Sequence, residues 1–432
     1  MLFKNIGIVD ENFDYVKSMF VETKDDRIVY VSSVRPENYE GEEYDGTGKV
    51  LMPGFVNAHS HSPMTLLRGY AENLPLQRWL NEKVFPFEDR IKGEDAYYSS
   101  MLAIAEMLRY GTVSFSDMYF FSENVAKAVT DSGIKCNFSR AITSFEDTDI
   151  ENLQSFRESE DIVKRFHNAA DGRLKIDMSL HAEYTNRRTI IEQFAEKVRE
   201  RGLRAHIHLS ETKKEHEECK AKYSLTPTQL FYKCGVFDVP TTAAHCVWVE
   251  DRDIELLREK GVTAATCPAS NLKLGSGVCD VYKLLKSGVN VAIGTDSVAS
   301  NNNLNMIKEM FLCALLPKGL HNDASVVSER DILKMATVNG YKAQGREDSG
   351  AIKAGCKADL CVLNIESEHM YPQTDMINNL VYAADGADVV LTMADGRVLY
   401  KDGEFTTIDI EKVKSTVNAA ASRIISEVKK NG

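Results

Sequence analysis

Between residues 52 and 61 the chain reads MPGFVNAHSH, an apolar run that ends in two histidines separated by one residue. Side chains at positions i and i+2 of a β-strand point to the same face. His59 and His61 can therefore offer two imidazole nitrogens to one metal ion from the end of a single strand. Two unrelated histidines at a strand end would give the same pattern, so this stretch alone leaves both interpretations open.

Three later apolar segments also end in histidines or acids: HIHLSE at 206–211, TAAHC at 242–246 and IGTDS at 293–297. In a (β/α)8 barrel the C-terminal ends of all strands meet at one face. A mixed His/Asp set at that face suits Zn²⁺, Fe²⁺ or Mn²⁺ with a position left open for water. The alternative is a set of independent surface polar residues.

The middle of the chain alternates between short apolar strands and helical patterns. This alternation is typical of an α/β fold of the TIM type, a (β/α)8 barrel, although an open doubly wound sheet would show a similar pattern. The predicted strands lie near Leu51–Val56, Thr112–Ser116, Lys135–Ser139, Leu174–Leu180, Arg204–His208, Thr241–His245, Val262–Thr266 and Val291–Gly294. Helices are predicted at Tyr97–Arg109, Ser122–Ser132, Glu151–Phe166, Arg187–Arg201 and Val249–Lys260.

Both ends of the chain have the texture of short β-strands with polar or glycine-containing turns, such as Asp395-Gly396. We therefore predict a small β-sandwich domain formed from both termini, residues 1–52 and 350–407, around a barrel at 53–349. Residues 408–432 have helical spacing of apolar residues and are predicted to form a C-terminal helix.

Composition excludes several classes of protein. Apolar residues make up 43% and charged residues 27% of the chain, as in ordinary globular proteins. The net charge of −12 disfavours a nucleic-acid partner. No apolar stretch approaches the ~18–20 residues of a membrane span, and the N-terminus lacks the pattern of a signal peptide. The nine cysteines form no C-x-x-C pair. We expect them to be reduced in a cytoplasmic protein.

The chain resembles the amidohydrolase superfamily, and within it the chlorohydrolase/deaminase branch, over almost its whole length. The motifs that carry the resemblance are PGFVNAHSH, HIHLSET, AAHC and GTDSVASNNNLNM. The resemblance implies a hydrolase of C–N bonds in cyclic amidines, Zn²⁺ or alternatively Fe²⁺ as cofactor, and a homo-oligomer. It implies His59, His61, His208 and Asp296 as metal ligands, with Glu211, His245 and Asp296 as catalytic residues.

The chemistry of these residue types agrees with those roles. Metal-bound water loses a proton near neutral pH and becomes a nucleophile. Glu211, three residues after a ligand, can take that proton and deliver it to a ring nitrogen. His245 can polarise the water, and Asp296 can pass a proton to departing ammonia.

Two choices within the motifs need separate arguments. His206 and His208 share a strand face, so spacing cannot select between them, and the family pattern H-x-x-E favours His208 with His206 as a supporting residue. Two-metal relatives use a modified lysine on the fourth strand, but Lys175 lies at the wrong end of that strand. One metal ion is therefore expected.

The resemblance implies five substrate-binding residues: Trp79, Glu88, Arg140, His181 and Glu211. Glu88 would bind ribose hydroxyls, because an ionised carboxylate accepts two hydroxyl protons. Three of these residues also have an ordinary structural alternative. Trp79 would pack within a loop, Glu88 would be a solvated charge and Arg140 would form an ion pair. Asn271 is a further candidate for the pocket lining.

The sequence also departs from the family. The fourth strand is followed by HAEYT at 181–185 where H-S-P-Y is common, and a second pocket arginine expected near 148–151 is missing. These departures weaken the nucleoside assignment more than the reaction class.

The leading hypothesis is hydrolytic deamination of an adenosine-like nucleoside (methylthioadenosine, S-adenosylhomocysteine, 5′-deoxyadenosine or adenosine) at its 6-amino group. The alternative keeps the chemistry but changes the substrate to a free base such as guanine or cytosine, a pterin, or a chlorinated triazine. A non-catalytic scaffold is a third hypothesis, which the full set of ligands and catalytic residues disfavours.

Overall fold

Eight parallel strands form the centre of the computed structural model, which describes residues 1–74 and 76–431. The third and fourth strands are each interrupted at one residue. In chain order the strands are Phe55–Ser60, Thr112–Met118, Lys135–Ser139 with Ala141–Ile142, Leu174–Ile176 with Met178–Leu180, Ala205–Leu209, Thr241–His245, Thr263–Thr266 and Asn290–Ile293. The predicted α/β barrel class is confirmed.

The first and last barrel strands meet at a seam. Ser60 and Asp296 form a parallel bridge, and the Asp296 amide donates to the His59 carbonyl over 2.9 Å. Gly294 lies against His59 so closely that a Cβ there would be 2.8 Å from the His59 nitrogen. The absence of a side chain at Gly294 therefore allows the two strands to approach.

Helices follow most of the barrel strands and cover their outer sides. They are Gly93–Arg109, Ser122–Ser132, Gln154–Phe166, Arg188–Arg201, Lys213–Tyr223, Pro227–Lys233, Asp251–Glu259, Pro268–Lys273, Val281–Lys286, Val298–Asn301, Met306–His321, Glu329–Ala336 and Val338–Ala343. Before the first of these, the segment Leu76–Glu88 forms three short helical turns over the barrel opening. None of the helices within the described residues is long and apolar enough to cross a membrane.

Strands from the two termini join in one nine-stranded sheet, where Lys49–Pro53 pairs antiparallel with Leu360–Asn364. The remaining strands are Leu2–Val9, Tyr15–Lys24, Arg27–Ser32, Glu43–Asp45, Val389–Ala394, Arg397–Lys401 and Glu404–Phe405. The helices Met376–Tyr382 and Ile410–Asn431 complete the C-terminal part, and Gly432 of the predicted terminal helix lies outside the described residues. The exact division into domains stays a prediction.

The predicted strand Leu51–Val56 is wrong in its bounds, because the chain changes sheets in the middle of it. Lys49–Pro53 belongs to the terminal sheet, and the barrel strand begins at Phe55. Gly54 makes the crossing against Val113, whose Cγ1 would lie 2.5 Å from an added Cβ. An apolar run that is buried in both sheets carries no sign of such a break.

A buried ion cluster joins the terminal sheet to the barrel end opposite the strand C-termini. The Lys135 ammonium, 3% exposed, lies 2.5 Å from an Asp359 oxygen and 2.7 Å from Asp395 Oδ1. Ser349 donates to the same Asp359 carboxylate over 2.8 Å. The cluster thus connects one barrel strand to two segments of the C-terminal part.

Candidate active site

The histidines and acids singled out in the sequence lie together at the C-terminal ends of the barrel strands, here called the barrel mouth. Two overlapping groups have ligand atoms within 4.8 Å of one another: His59, His208 and His245, and His59, His61 and Asp296. His59 belongs to both groups. The arrangement brings residues from the first, fifth, sixth and last strands to one point.

His59 is fully buried and has one ring nitrogen engaged. Its Nδ1 lies 3.0 Å from Nε2 of His206, while its Nε2 has no hydrogen-bond partner among the described residues. A buried polar atom without a partner costs free energy. The unpartnered Nε2, which points towards Asp296 Oδ1 at 3.7 Å, therefore fits a metal-ligand position.

His61 and His208 present the same nitrogen to the centre of the cluster. Their Nε2 atoms lie 3.5 Å apart, and that of His61 lies 3.3 Å from Asp296 Oδ1. Their Nδ1 atoms face the carbonyl oxygens of Met118 at 2.5 Å and His181 at 2.7 Å. Because a carbonyl only accepts, each Nδ1 carries a proton and each Nε2 is directed inward, as in metal-ligating histidines generally.

Asp296 is held by two hydroxyl groups on the side away from the histidines. Its Oδ2 accepts from Ser270 Oγ at 2.5 Å and from Ser300 Oγ at 3.0 Å. Its backbone has φ of 58°, which turns the chain sharply out of the strand direction. Oδ1 is consequently left to face His59 and His61.

The protonation states suit a divalent cation. Burial lowers the pKa of His59 and of His208 well below the ordinary value, which keeps both rings neutral as ligation requires. Burial also lowers the pKa of His61, but its hydrogen bond to Asp296 outweighs this and raises the pKa to about 9. A cation would thus displace one proton from His61. Imidazole nitrogens and one carboxylate form a donor set that zinc prefers.

Glu211 and His245 lie beside this cluster. His245 Nε2 is 3.8 Å from Glu211 Oε2, and His245 Nδ1 is 2.9 Å from the side-chain oxygen of Asn271. Ser276 donates to Glu211 Oε1 over 3.4 Å. Burial raises the pKa of Glu211, so its carboxyl group holds a proton more readily than a solvated glutamate. A carboxyl group with a raised pKa is suited to taking a proton and returning it during a reaction.

A cavity opens from the cluster towards solvent, and its wall includes every substrate-binding residue predicted from the sequence: Trp79, Glu88, Arg140, His181 and Glu211. Trp79 is 5% exposed and donates from its indole to the Ala71 carbonyl over 3.1 Å. Tyr119 donates to Glu88 Oε1 over 2.6 Å. Burial raises the pKa of Glu88 to about 7, against the lowering effect of that hydrogen bond.

Arg140 and His181 lie on the far wall of the cavity. The Arg140 guanidinium forms an ion pair with Glu158 at 2.7 Å and also donates to the Ala141 carbonyl at 2.6 Å. Arg140 thus forms the ion pair that was the alternative role, and it also lines the cavity. Burial lowers the pKa of His181 to about 4, which keeps this ring neutral.

Several supporting residues were missed by the sequence analysis. Ser270 and Ser300 hold Asp296, Ser276 contacts Glu211, and Tyr119 holds Glu88. His206 lies behind His59, in the supporting position expected for it. Serine and tyrosine hydroxyls give no spacing signal. Asn271, predicted as a residue of the pocket lining, is not among the residues that line this cavity and instead holds the ring of His245.

Comparison with known proteins agrees with this geometry. The model of the amidohydrolase family matches residues 50–399. The chain belongs to the amidohydrolase family. Among amidohydrolases, it is 45% identical to the 5-methylthioadenosine/S-adenosylhomocysteine deaminase of Dictyoglomus thermophilum, over 89% of each chain. It is 40% identical to the 5′-deoxyadenosine deaminase of Methanothermobacter thermautotrophicus, over 93% of each.

A solved structure extends the comparison to the whole fold of this amidohydrolase. An adenosine deaminase of Xanthomonas campestris with bound zinc superposes with a TM-score of 0.93 at 29% identity, covering 98% of each chain. The barrel and the terminal sheet are thus arranged as in a zinc-containing relative.

Proposed function

We propose that the protein is a metal-dependent deaminase that converts the 6-amino group of an adenosine-like nucleoside to a 6-oxo group and releases ammonia. The observation that carries this proposal is the unpartnered Nε2 of His59 within a cluster of inward-facing imidazoles and one carboxylate. The relatives named as deaminases of methylthioadenosine, S-adenosylhomocysteine and 5′-deoxyadenosine indicate the substrate class.

His59, His61, His208 and Asp296 are the residues proposed to hold the cation. When bound, a divalent ion there supplies Lewis acidity that makes a water molecule nucleophilic near neutral pH. We assign no second ion, because Lys175, the only lysine of the fourth strand, donates to the Gly345 carbonyl at the opposite end of the barrel.

Glu211 and His245 are proposed to move and orient the reacting groups. The Glu211 carboxylate takes the proton of the attacking water and delivers it to the ring nitrogen next to the amino-bearing carbon. His245, fixed by Asn271, orients the water and the oxygen formed from it. Asp296 Oδ1 then accepts the proton of the newly added hydroxyl group and passes it to the amino group, which leaves as ammonia. Each proton transfer has one donor and one acceptor. Because water is the nucleophile, no covalent bond to the protein is needed.

Glu88 supports a nucleoside over a free base. Its carboxylate faces the cavity with one oxygen bonded to Tyr119, so the other can accept a ribose hydroxyl proton. Trp79 and Phe85 add apolar surface beside it, as expected for the wall that meets a purine or an apolar 5′ substituent.

The test is an ammonia-release assay of the zinc-loaded protein with methylthioadenosine, S-adenosylhomocysteine, 5′-deoxyadenosine and adenosine. We expect turnover of at least one of these nucleosides and none of free adenine. Guanine, cytosine, a pterin and a chlorinated triazine serve as the comparison set. Turnover restricted to that set would replace the nucleoside assignment, and Glu88→Gln would then leave activity unchanged.

The metal requirement has its own test. Dialysis against a chelator should abolish ammonia release, and addition of Zn²⁺ should restore it, with Fe²⁺ and Mn²⁺ compared at equal occupancy. We further propose a cytoplasmic homo-oligomer whose partner is a small molecule rather than nucleic acid or a membrane. Light scattering and cell fractionation check these points.

A further inference from the structure

Two buried glutamates from different segments meet behind the proposed base Glu211. Glu183, 2% exposed, lies in the turn Glu183–Thr185 after the fourth barrel strand, and Glu215, 5% exposed, lies in the helix Lys213–Tyr223. The turn packs against that helix, and one carboxyl oxygen of each glutamate, Glu183 Oε2 and Glu215 Oε1, is buried without a hydrogen-bond partner among the described residues. Because carboxylate oxygens only accept, the two groups can bond to each other only when one of them carries a proton.

The remaining bonds of Glu215 lead directly to the proposed base. One oxygen of Glu215, Oε2, accepts from the backbone nitrogen of Glu211 at 2.8 Å and from that of Thr212 at 3.2 Å. Its other oxygen, and Glu183 Oε2, receive no hydrogen bond from any further group in the described part of the chain. The Glu215 carboxylate therefore fixes the backbone of Glu211 and has an acceptor left over for Glu183.

Glu183 is tied to the opposite wall of the pocket. It lies between His181 and Tyr184, and both of these line the cavity next to Glu211. A hydrogen bond between the two glutamates would thus link the segment that carries His181 to the segment that carries Glu211. Loss of this bond would let the two walls of the pocket move apart.

The surroundings favour a single shared proton. Burial raises the pKa of Glu183, and the neighbouring Glu215 raises it further. Glu211 and His245 face the pair from the pocket, Tyr184 from the turn, and Cys219 from the helix, with Lys222 and Asp253 further out. Two charged carboxylates in this position would repel each other in a medium of low dielectric constant.

We infer that Glu183 and Glu215 are positioning residues that share one proton and so hold Glu211 in register with the His181 segment. The catalytic consequence rests on the proposed function, whereas the shared proton does not. Removal of the proton as pH rises leaves two adjacent anions, so both the stability of the fold and the alignment of Glu211 decline together.

The first test measures thermal unfolding of the zinc-loaded protein against pH. The variant Glu183→Gln keeps an N–H donor for Glu215 but cannot lose a proton in this range. A glutamate whose pKa is raised by folding contributes stability that is lost as pH rises above its unfolded value. The Tm of the wild type should therefore fall relative to that of Glu183→Gln as pH rises above the unfolded pKa of a glutamate, about 4.3.

The matched control is Glu217→Gln, which removes one exposed carboxylate from the same helix. Its Tm should run parallel to that of the wild type across the whole range. Parallel curves of Tm against pH for the wild type and Glu183→Gln would overturn the inference that the two glutamates share a proton.

The second test is the pH profile of kcat. Glu183→Gln should keep at least about a third of the wild-type kcat at neutral pH. Its kcat should not decline as pH rises, whereas that of the wild type should. Glu183→Ala should lose about tenfold or more, the usual range for outer supporting residues. Equal kcat values and identical pH profiles for all three proteins would overturn the positioning role. If no nucleoside is turned over, the proposed function fails, and the unfolding curves alone decide the inference.

Discussion

Glu211 is the residue whose surroundings define its task most narrowly. It contacts Ser276 and lies near His245, and no hydrogen bond joins it to Asp296 or to the proposed histidine ligands. We expect Glu211→Gln to retain bound zinc while kcat falls by about 10²–10⁴-fold, the range for general acid–base groups. Metal analysis and ammonia release measure the two quantities separately.

The control for this prediction is Glu218→Gln, which lies exposed on the helix that follows. It should change neither the zinc content nor kcat. Loss of zinc in Glu211→Gln would contradict the assignment and place Glu211 among the ligands.

Glu88 gives the pocket a pH dependence of its own. Burial raises its pKa to about 7, so the carboxyl group is neutral below that pH and ionised above it. Only the ionised form accepts hydrogen bonds from both Tyr119 and a pair of ribose hydroxyls. The KM for the nucleoside should therefore fall as pH rises through about 7.

Steady-state kinetics on both sides of that pH check the point. Glu88→Gln should raise KM and flatten its pH dependence, while Glu94→Gln, which changes an exposed residue at the start of the helix Gly93–Arg109, should leave the profile intact. A profile that survives Glu88→Gln would transfer the titration to another group.

At the residue scale, the sequence predicts which side chains converge as the proposed ligands. It does not predict the residues that hold those side chains in place. His59, His61, His208 and Asp296 fall at strand ends, where the geometry of a barrel forces convergence. Ser270 and Ser300 reach Asp296 from two separate helices after the seventh and eighth strands. No spacing rule connects such residues, because the contact is created by tertiary packing alone.

Among the elements, the seam between the first and eighth strands tolerates the least change. Gly294→Ala would place a Cβ 2.8 Å from the His59 nitrogen and 3.0 Å from its carbonyl oxygen. Backbone atoms cannot move aside as a flexible side chain can, so we expect a loss of about 1–3 kcal/mol in unfolding free energy. Zinc affinity should fall as well, because His59 itself shifts. Thermal unfolding and zinc titration measure the two effects.

Gly319→Ala is the matched comparison. Gly319 lies in the helix Met306–His321 with no atom within 4 Å of an added Cβ. This variant should be neutral or more stable by about 0.5–1 kcal/mol, since alanine is the better helix former. Equal losses in the two variants would mean that the seam is no more constrained than a helix surface.

The secondary-structure elements were predictable where the spacing of apolar residues agreed with a residue that ends the element, such as glycine. The helix Ser122–Ser132 was predicted with its observed bounds and is followed by Gly133 at φ of 84°, a typical C-terminal stop. The first barrel strand was misplaced because every residue from Val50 to Ala58 is buried, although two successive sheets share this stretch. The partner strands that divide this run come from distant parts of the sequence.

For the molecule as a whole, the ion cluster at the closed end of the barrel is the most sensitive junction. Lys135→Met would leave the buried carboxylate of Asp359 without its cation, while Asp395 would keep Lys357 at 3.4 Å. Removing one partner of a buried ion pair typically costs about 3–5 kcal/mol. We expect that loss in chemical unfolding, with zinc content and kcat unchanged well below the unfolding temperature, because the cluster lies at the opposite end from the site.

Lys127→Met tests whether burial is the cause. The Lys127 side chain is 64% exposed in its pair with Asp131, so its removal should cost at most about 1 kcal/mol. A similar cost for both lysines would show that the junction gains nothing from being enclosed.

The seam has a consequence for how the protein is made. The proposed ligands are drawn from both edges of the closing barrel, with His59 on the first strand and Asp296 just after the last. A nascent chain still lacking the eighth strand displays the histidines but no carboxylate to complete their set. We therefore expect metal loading to be completed only after the eighth strand has been made, when the polypeptide is nearly finished.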